Sequence, residues 1–274
     1  MENLLNLSED GKTILGLFDK GVESIVIPSG VTSIGKWAFY DCSSLESITL
    51  PFSVTSIGDE AFSCCRSLKS ITLPDSLTSI GDEAFYGCSS LESITLPSGV
   101  TSIGESAFSG CSSLKSIDVS GDNAYYTSVD GILFNKDLTT IVSFPQGYEL
   151  KEYTLPSGVT SIGYRAFGGC SSLENITLPD SVTSIGKSAF RCCSSLQSIT
   201  IPSGATSIGR GAFSLCKSLQ SIHFNWADPG ECYIGDISFT DNCTLRIPAG
   251  TYESYRQHPV FGKFKNIIEN QETL

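Results

Sequence analysis

"CSSLESITLPFSVTSIGDEAF", from Cys42 to Phe62, returns as "CSSLESITLPSGVTSIGESAF" from Cys88 to Phe108, with a third version between them. The two copies lie 46 residues apart, so the period is 23. A period in the twenties belongs to solenoids, whose units bury their apolar faces only against neighbouring units. Counted from the residue that opens "VTSIG", units begin at Val31, Val54, Leu77 and Val100, then at Val159, Val182 and Ala205.

Inside a unit, Leu45-x-x-Ile48-x-Leu50 ends on strand alternation, and Pro51 stops the ladder. The pattern recurs at Leu68, Leu91, Leu114, Leu173, Leu196 and Leu219, which predicts one short parallel strand per coil. "VTSIGxxAF" sends Val54, Ile57, Ala61 and Phe62 into the core, with Gly58 where the backbone must turn tightly or approach its neighbour. Phe39, Phe62, Phe85, Phe108, Phe167, Phe190 and Phe213 should form a second column, opposite the strands. Cys42, Cys65, Cys88, Cys111, Cys170, Cys193 and Cys216 keep the same spacing within each block. They are expected to stack as buried, reduced thiols. Cys64, Cys192, Cys232 and Cys243 fall outside that column, and nothing in their spacing pairs them.

The rhythm breaks once. Leu114 and Leu150, equivalent strand residues, are 36 apart instead of 23. In the insertion, Gly131 to Phe134 and Thr140 to Phe144 flank the polar turn Asn135-Lys136-Asp137, which predicts a β-hairpin projecting from the coil. At the start, "NLSEDGKTILGL" predicts a hairpin turning at Glu9-Asp10-Gly11, followed by a first strand at Val22, Ile25 and Ile27. At the other end a last strand falls at Leu245 and Ile247, then a short helix that ends before Pro259. Both ends read as caps, which a solenoid needs over its terminal strand edges. The expected fold is a β-dominated solenoid of about ten coils, forming a single domain over residues 1–274. It divides into an N-terminal cap and first strand (1–30), regular repeats (31–119), a hairpin insertion (120–149), regular repeats (150–224) and a C-terminal cap (225–274).

The wording "AFxxCSSLxSITLPxxVTSIG", the L-x-x-I-x-L strand and the 23-residue period resemble the BspA-like leucine-rich repeat proteins over about residues 8 to 268. The chain lacks the asparagine that follows the strand in ordinary leucine-rich repeats, and its cysteine column precedes the strand instead. The resemblance implies a leucine-rich repeat solenoid, a bacterial cell-surface or extracellular location, and attachment to matrix proteins, glycans or other cells. It also implies that "Y-x-S-x-D-G", Tyr126 to Gly131, belongs to a hairpin repeat of the architecture.

With 17 basic and 29 acidic residues the net charge is -12, which repels a phosphate backbone or an anionic membrane surface. Nucleic acid is therefore not an expected partner. "MENLLNLSED" carries no basic leader, and no run of 18 apolar residues follows, so no membrane insertion is expected. Neither His223 nor His258 sits in a metal-binding spacing, and no C-x-x-C occurs. Ser221, His223 and Asp228 are close in sequence, but Ser221 simply occupies the repeated serine of the strand. "DGILFNKD" lacks the D-x-D-x-D-G order of a calcium loop. The expectation is a protein that is not an enzyme and uses no cofactor or metal.

What remains is the outward face of the strands. It presents Ser47 and Thr49, Ser70 and Thr72, Ser93 and Thr95, Ser116 and Asp118, Glu152 and Thr154, Asn175 and Thr177, Ser198 and Thr200, and Ser221 and His223. These form two hydroxyl ladders interrupted by Asp118, Glu152, Asn175 and His223. Stacked hydroxyls suit a pleated, half-exposed surface with no ligand at all. They equally offer many weak hydrogen bonds to an extended ligand. The candidate binding residues are Asp118, Tyr125, Tyr126, Glu152, Thr154, Asn175, Thr177, Thr200 and His223, the tyrosines because that residue is favoured at interfaces. The leading expectation is a monomeric, non-catalytic adhesin for an extracellular protein or glycan. The alternative is a scaffold module that mediates assembly without a dedicated ligand.

Overall fold

The structure is a computed structural model that describes residues 4–235 and 242–270. The outermost residues of both expected caps, 1–3 and 271–274, and residues 236–241 lie outside that description. The chain divides into two compact units, residues 1–137 with 143–148, and residues 138–142 with 149–274.

Each unit is a stack of coils, and the coils carry the expected strand together with a second one, except that the strand expected at Leu68, Ile71 and Leu73 does not form, which leaves the N-terminal front strands as two separate pairs. The expected strand, here called front, is Ser47–Thr49 or Ser93–Leu96 in the N-terminal unit and Asn175–Thr177 or Ser198–Ile201 in the C-terminal unit. The second, or back, strand is the two-residue Ser-Ile of "VTSIG", as at Ser33–Ile34, Ser56–Ile57, Ser79–Ile80 and Ser102–Ile103. Both kinds pair in parallel with the same residue of the next coil, Ser56 with Ser79 and Asn175 with Ser198. A third contact runs through the "AF" turn, where Phe39 N–H donates to Ala61 O at 2.7 Å and Phe62 N–H to Ala84 O at 2.8 Å.

Two of the expected columns fill the core. Phe39, Phe62, Phe85 and Phe108 stack ring on ring at 5.0, 5.3 and 5.9 Å. Phe167, Phe190 and Phe213 do the same at 5.0 and 5.5 Å. All seven column cysteines are buried and form no disulfide. The sulfur of Cys65 lies 3.1 Å from Phe39 O, and that of Cys193 lies 3.0 Å from Phe167 O, so thiol and phenylalanine columns brace one another. Burial raises the Cys42 thiol to about 11 and pushes Cys65 and Cys170 higher still. Cys64, Cys192, Cys232 and Cys243 form no disulfides; Cys243 is buried and the other three are half-buried.

Gly58 is needed for close approach. A Cβ there would sit 2.8 Å from Lys36 N, and one on Gly81 would sit 2.5 Å from Asp59 N. The tight turning falls two and six residues after the glycine, at left-handed positions such as Glu60 (φ 52°) and Cys64 (φ 63°).

The N-terminal hairpin pairs Leu5–Leu7 with Thr13–Leu17, and Thr13–Leu17 continues the back sheet beside Ser33–Ile34. The expected strands on either side of Asn135-Lys136-Asp137 are Ile132–Asn135 and Thr140–Ser143 with a turn at Lys136-Asp137, and in addition Tyr126–Val129 pairs antiparallel with Ile132–Asn135 around Asp130-Gly131, at the end of "Y-x-S-x-D-G". The inserted hairpin does not project. Ile132, Leu133 and Phe134 are all buried, and Ile117 N–H donates to Gly131 O at 2.8 Å. Three consecutive apolar residues must be covered on both faces of their strand, which folds the hairpin against Ser116–Val119.

At the C-terminal end the helix Tyr252–Gln257 stops before Pro259 as expected. The strand Thr244–Ile247 is not the last. Asn266–Glu269 adds in parallel to it, in a stretch whose alternation is masked by two adjacent isoleucines. Phe224, Trp226, Tyr255, Phe261 and Phe264 replace the regular columns here, and Tyr255 donates its hydroxyl to Trp226 O at 3.1 Å.

Candidate functional site

In the C-terminal unit, Glu152–Thr154, Asn175–Thr177, Ser198–Ile201, Ser221–Phe224, Thr244–Ile247 and Asn266–Glu269 form one parallel front sheet. Ile176, Ile199, Ile222 and Leu245 point inward and are buried. Strand alternation therefore turns the flanking residues outward in two rows. One row is Glu152, Asn175, Ser198, Ser221, Thr244 and Asn266; the other is Thr154, Thr177, Thr200, His223, Arg246 and Ile268. All six candidates of this unit share that surface. Asn175 Nδ2 donates to Glu152 Oε1 at 3.3 Å, and Ser221 Oγ lies 3.2 Å from His223 Nε2. Partial burial, then the neighbouring Arg246 guanidinium, hold His223 below its ordinary 6.5, so it is a neutral hydrogen-bonding ring at pH 7. Asp228 is occupied elsewhere, accepting from Gly230 N–H at 2.8 Å where it caps the turn Pro229–Glu231.

Sequence reasoning missed Arg246. The signal was present, because Arg246 is the outward residue of "LRI" just as His223 is of "IHF". The cap position of that strand hides the signal, since a capping strand is expected to cover the sheet edge and not to present a binding face.

In the N-terminal unit, Asp118 is exposed opposite Thr95 and accepts from Ser116 Oγ at 2.9 Å. Tyr125 is exposed, whereas the half-buried Tyr126 accepts Ile103 N–H on its hydroxyl at 3.1 Å, and burial raises its pKa. Both tyrosines are set by Asn123, which is fully buried. Its Oδ1 accepts from Tyr125 N–H and Tyr126 N–H, each at 2.8 Å. Its Nδ2 donates to Pro97 O and Val100 O, each at 3.0 Å.

The front and back hydroxyls differ in how they are used. On the back, Thr55 Oγ1 donates to Thr32 O at 3.2 Å, Thr78 to Thr55 O at 3.0 Å, and Thr183 to Thr160 O at 3.2 Å. Ser56 Oγ bonds Ser33 Oγ at 2.8 Å. On the front, Ser47, Thr49, Ser70, Thr72, Ser93, Thr95, Thr154, Thr177 and Thr200 make no side-chain hydrogen bond among the described residues. These front hydroxyls meet solvent with donor and acceptor capacity unused.

Among the described residues no group of three or more His, Cys, Asp or Glu side chains is placed to hold a metal ion, and no helix is long and apolar enough to cross a membrane.

The sequence matches the model of the BspA type leucine-rich repeat region, in six copies, over residues 18–137 and 139–249. No curated protein matches it. Among solved structures it is similar to a leucine-rich repeat protein from Eubacterium ventriosum, at 26% identity and a TM-score of 0.71, covering 88% of this chain and 74% of that one. It is also similar to a leucine rich cell surface protein from Faecalibacterium prausnitzii, at 25% identity and a TM-score of 0.58, covering 98% and 93%. The pneumococcal vaccine antigen PcpA shares the fold at 24% identity and a TM-score of 0.59, covering 97% of this chain and 82% of that one.

Proposed function

The chain belongs to the BspA-type leucine-rich repeat family, and from that premise we propose that it is a non-catalytic adhesin of the bacterial cell surface that binds an extracellular protein or glycan on its front sheet. The observation that carries this reading is the contrast between the two sheets. Back threonine hydroxyls are tied to the preceding coil, while most front hydroxyls, Ser116 and Ser221 excepted, are left for another molecule. Each such hydrogen bond contributes only about 0.5–1.5 kcal/mol net, so useful affinity needs many of them in register. A repeated sheet supplies that register. The residues that break the pattern, Glu152 with Asn175 and His223 with Arg246, then distinguish one ligand from another. Surface location is supported by the cell-surface description of the Faecalibacterium prausnitzii protein.

The test is binding of the purified chain to an array of matrix proteins and glycans. Thr177→Lys with Thr200→Lys places bulk on the front sheet without touching the core, and Ser203→Lys on an exposed loop is the control. Saturable binding should weaken at least tenfold in the front-sheet variant and stay unchanged in the control. A further variant, Asp118→Lys with Tyr125→Ala, probes the N-terminal candidates; Tyr126 is left intact because its hydroxyl holds Ile103. Absence of binding across a broad array by folded protein would remove the adhesin reading in favour of a scaffold.

A further inference from the structure

The net charge of -12 is unevenly distributed. Residues 1–137 hold 18 acidic and 7 basic side chains, a net of -11, whereas residues 138–274 hold 11 and 10, a net of -1. The sign changes at one repeated place, the turn that follows "SIG". In the N-terminal unit that turn carries Lys36 in the first repeat, then Asp59 and Glu60, Asp82 and Glu83, and Glu105. In the C-terminal unit it carries Tyr164 and Arg165, then Lys187, then Arg210, with Arg191 three residues beyond Ser188.

These cations are stacked on adjacent coils. Arg165 N–H donates to Lys187 O at 3.2 Å and Ser188 N–H to Arg210 O at 3.0 Å, while Arg191 N–H donates to Ser188 O at 2.9 Å. Arg165 and Lys187 Nζ each lie over the Tyr164 ring, 5.7 and 5.5 Å from its centroid. Lys187 and Arg210 are exposed, and none of the four forms an ion pair among the described residues; the ion pair of this unit is Lys151 with Glu174. Arg165 Nε is buried with no hydrogen-bond partner. A ridge of like charge without counter-charges is unfavourable unless something else supplies them.

We propose that this ridge is a second binding surface, separate from the front sheet, and that its ligand is a linear sulfated glycan. Arginine forks match the paired oxygens of a sulfate. Tyr164 adds an aromatic ring beside Arg165 and Lys187 against which a sugar can pack. A second copy of this chain fits less well, because two of the five carboxylates of the matching acidic turn, Asp59 and Asp82, are already engaged. Asp59 accepts Asp82 N–H at 3.1 Å and faces Lys36 at 3.8 Å, and Asp82 accepts Glu105 N–H at 2.7 Å. The choice of a glycan over nucleic acid rests on the surface location proposed above.

The experiment is retention of the full chain on immobilised heparin as a function of salt, with chemically desulfated heparin and duplex DNA as soluble competitors. Wild type should be retained at low salt. Its log affinity should fall with log salt at a slope of about -3, the release expected when roughly four charges neutralise a flexible polyanion. Lys187→Glu with Arg210→Glu should weaken retention at least tenfold at unchanged melting temperature. The same charge change made by Lys12→Glu with Lys115→Glu should have little effect. The proposal is overturned if wild type flows through, if both variants weaken equally, or if desulfated heparin or duplex DNA competes as well as heparin. Salt-sensitive growth in molecular mass that Lys187→Glu with Arg210→Glu abolishes would assign the ridge to a second copy instead. Heparin retention with a silent matrix array would leave the ridge standing and remove only the front-sheet reading.

Discussion

Leu215 is half exposed and held at φ 63°, a conformation that costs a residue with a side chain roughly 1–2 kcal/mol. Its equivalents in other coils are Asp41, Cys64, Gly87, Gly110, Gly169 and Cys192, so the position accepts glycine three times over. Leu215→Gly should raise stability by about 0.5–1 kcal/mol in a urea titration, the relief of strain exceeding the entropic cost of glycine. Asn123→Ala should act in the opposite sense. It strands two N–H groups and two carbonyls and should cost about 3 kcal/mol, with early loss of hydrogen-exchange protection over the hairpin. Nothing in the sequence singles out Asn123, since an asparagine in a polar insertion reads as a turn residue until its four partners are seen. The thiols are more legible. Native protein should expose three readily reacting cysteines, Cys64, Cys192 and Cys232, and denatured protein all eleven. Seven or more fast thiols before denaturation would contradict the buried column.

At the scale of the element, the stacked rings are what make one coil depend on the next. Phe190 lies between Phe167 and Phe213, and Phe190→Ala should cost about 3–5 kcal/mol by opening a cavity that both neighbours line. Loss of several coils in one urea transition, and not of one coil alone, is the expected signature. All but one of the front strands, both columns and the N-terminal hairpin were legible, because a 23-residue period turns one local pattern into seven statements of it, and only the strand expected at Leu68, Ile71 and Leu73 is absent. The back strand was not. Two residues of Ser-Ile carry no alternation, and only pairing with the coils on either side makes them a strand. Likewise the hairpin's fold-back against Ser116–Val119 depends on where three buried apolar residues can find cover.

At the scale of the whole molecule, burial of ionisable groups sets a pH window. His223 and His258 are held below their ordinary 6.5, chiefly by burial, and His258 Nδ1 accepts from Val260 N–H at 3.2 Å. The unfolded chain therefore takes up protons before the native one does, so stability falls as pH drops below about 6.5. Cys42 and Cys243 are raised from 9.0 to about 11, and Cys65 and Cys170 go higher. Unfolded thiols ionise first, so stability also falls as pH rises above about 9. The melting temperature should be highest between those limits. His223→Gln with His258→Gln should flatten the acid limb and leave the alkaline limb in place.

The sequence by itself determined the solenoid, its period, its inward columns and the place where the period breaks, because those properties repeat and periodicity is a one-dimensional signal. It also contained every charge of the ridge, and Lys187 and Arg210 share one phase of the repeat, but Arg165 and Arg191 fall at other phases. Stacking placed them side by side, which neighbours in the chain cannot show. The same holds for the hydroxyls. Front and back serines and threonines are indistinguishable as letters, and only the tertiary structure decided that the back threonines bond the preceding coil while most of the front hydroxyls are left to solvent. Hydrogen bonding is settled by distance and direction across coils 23 residues apart, and a repeat pattern fixes which residues align without fixing which of them meet.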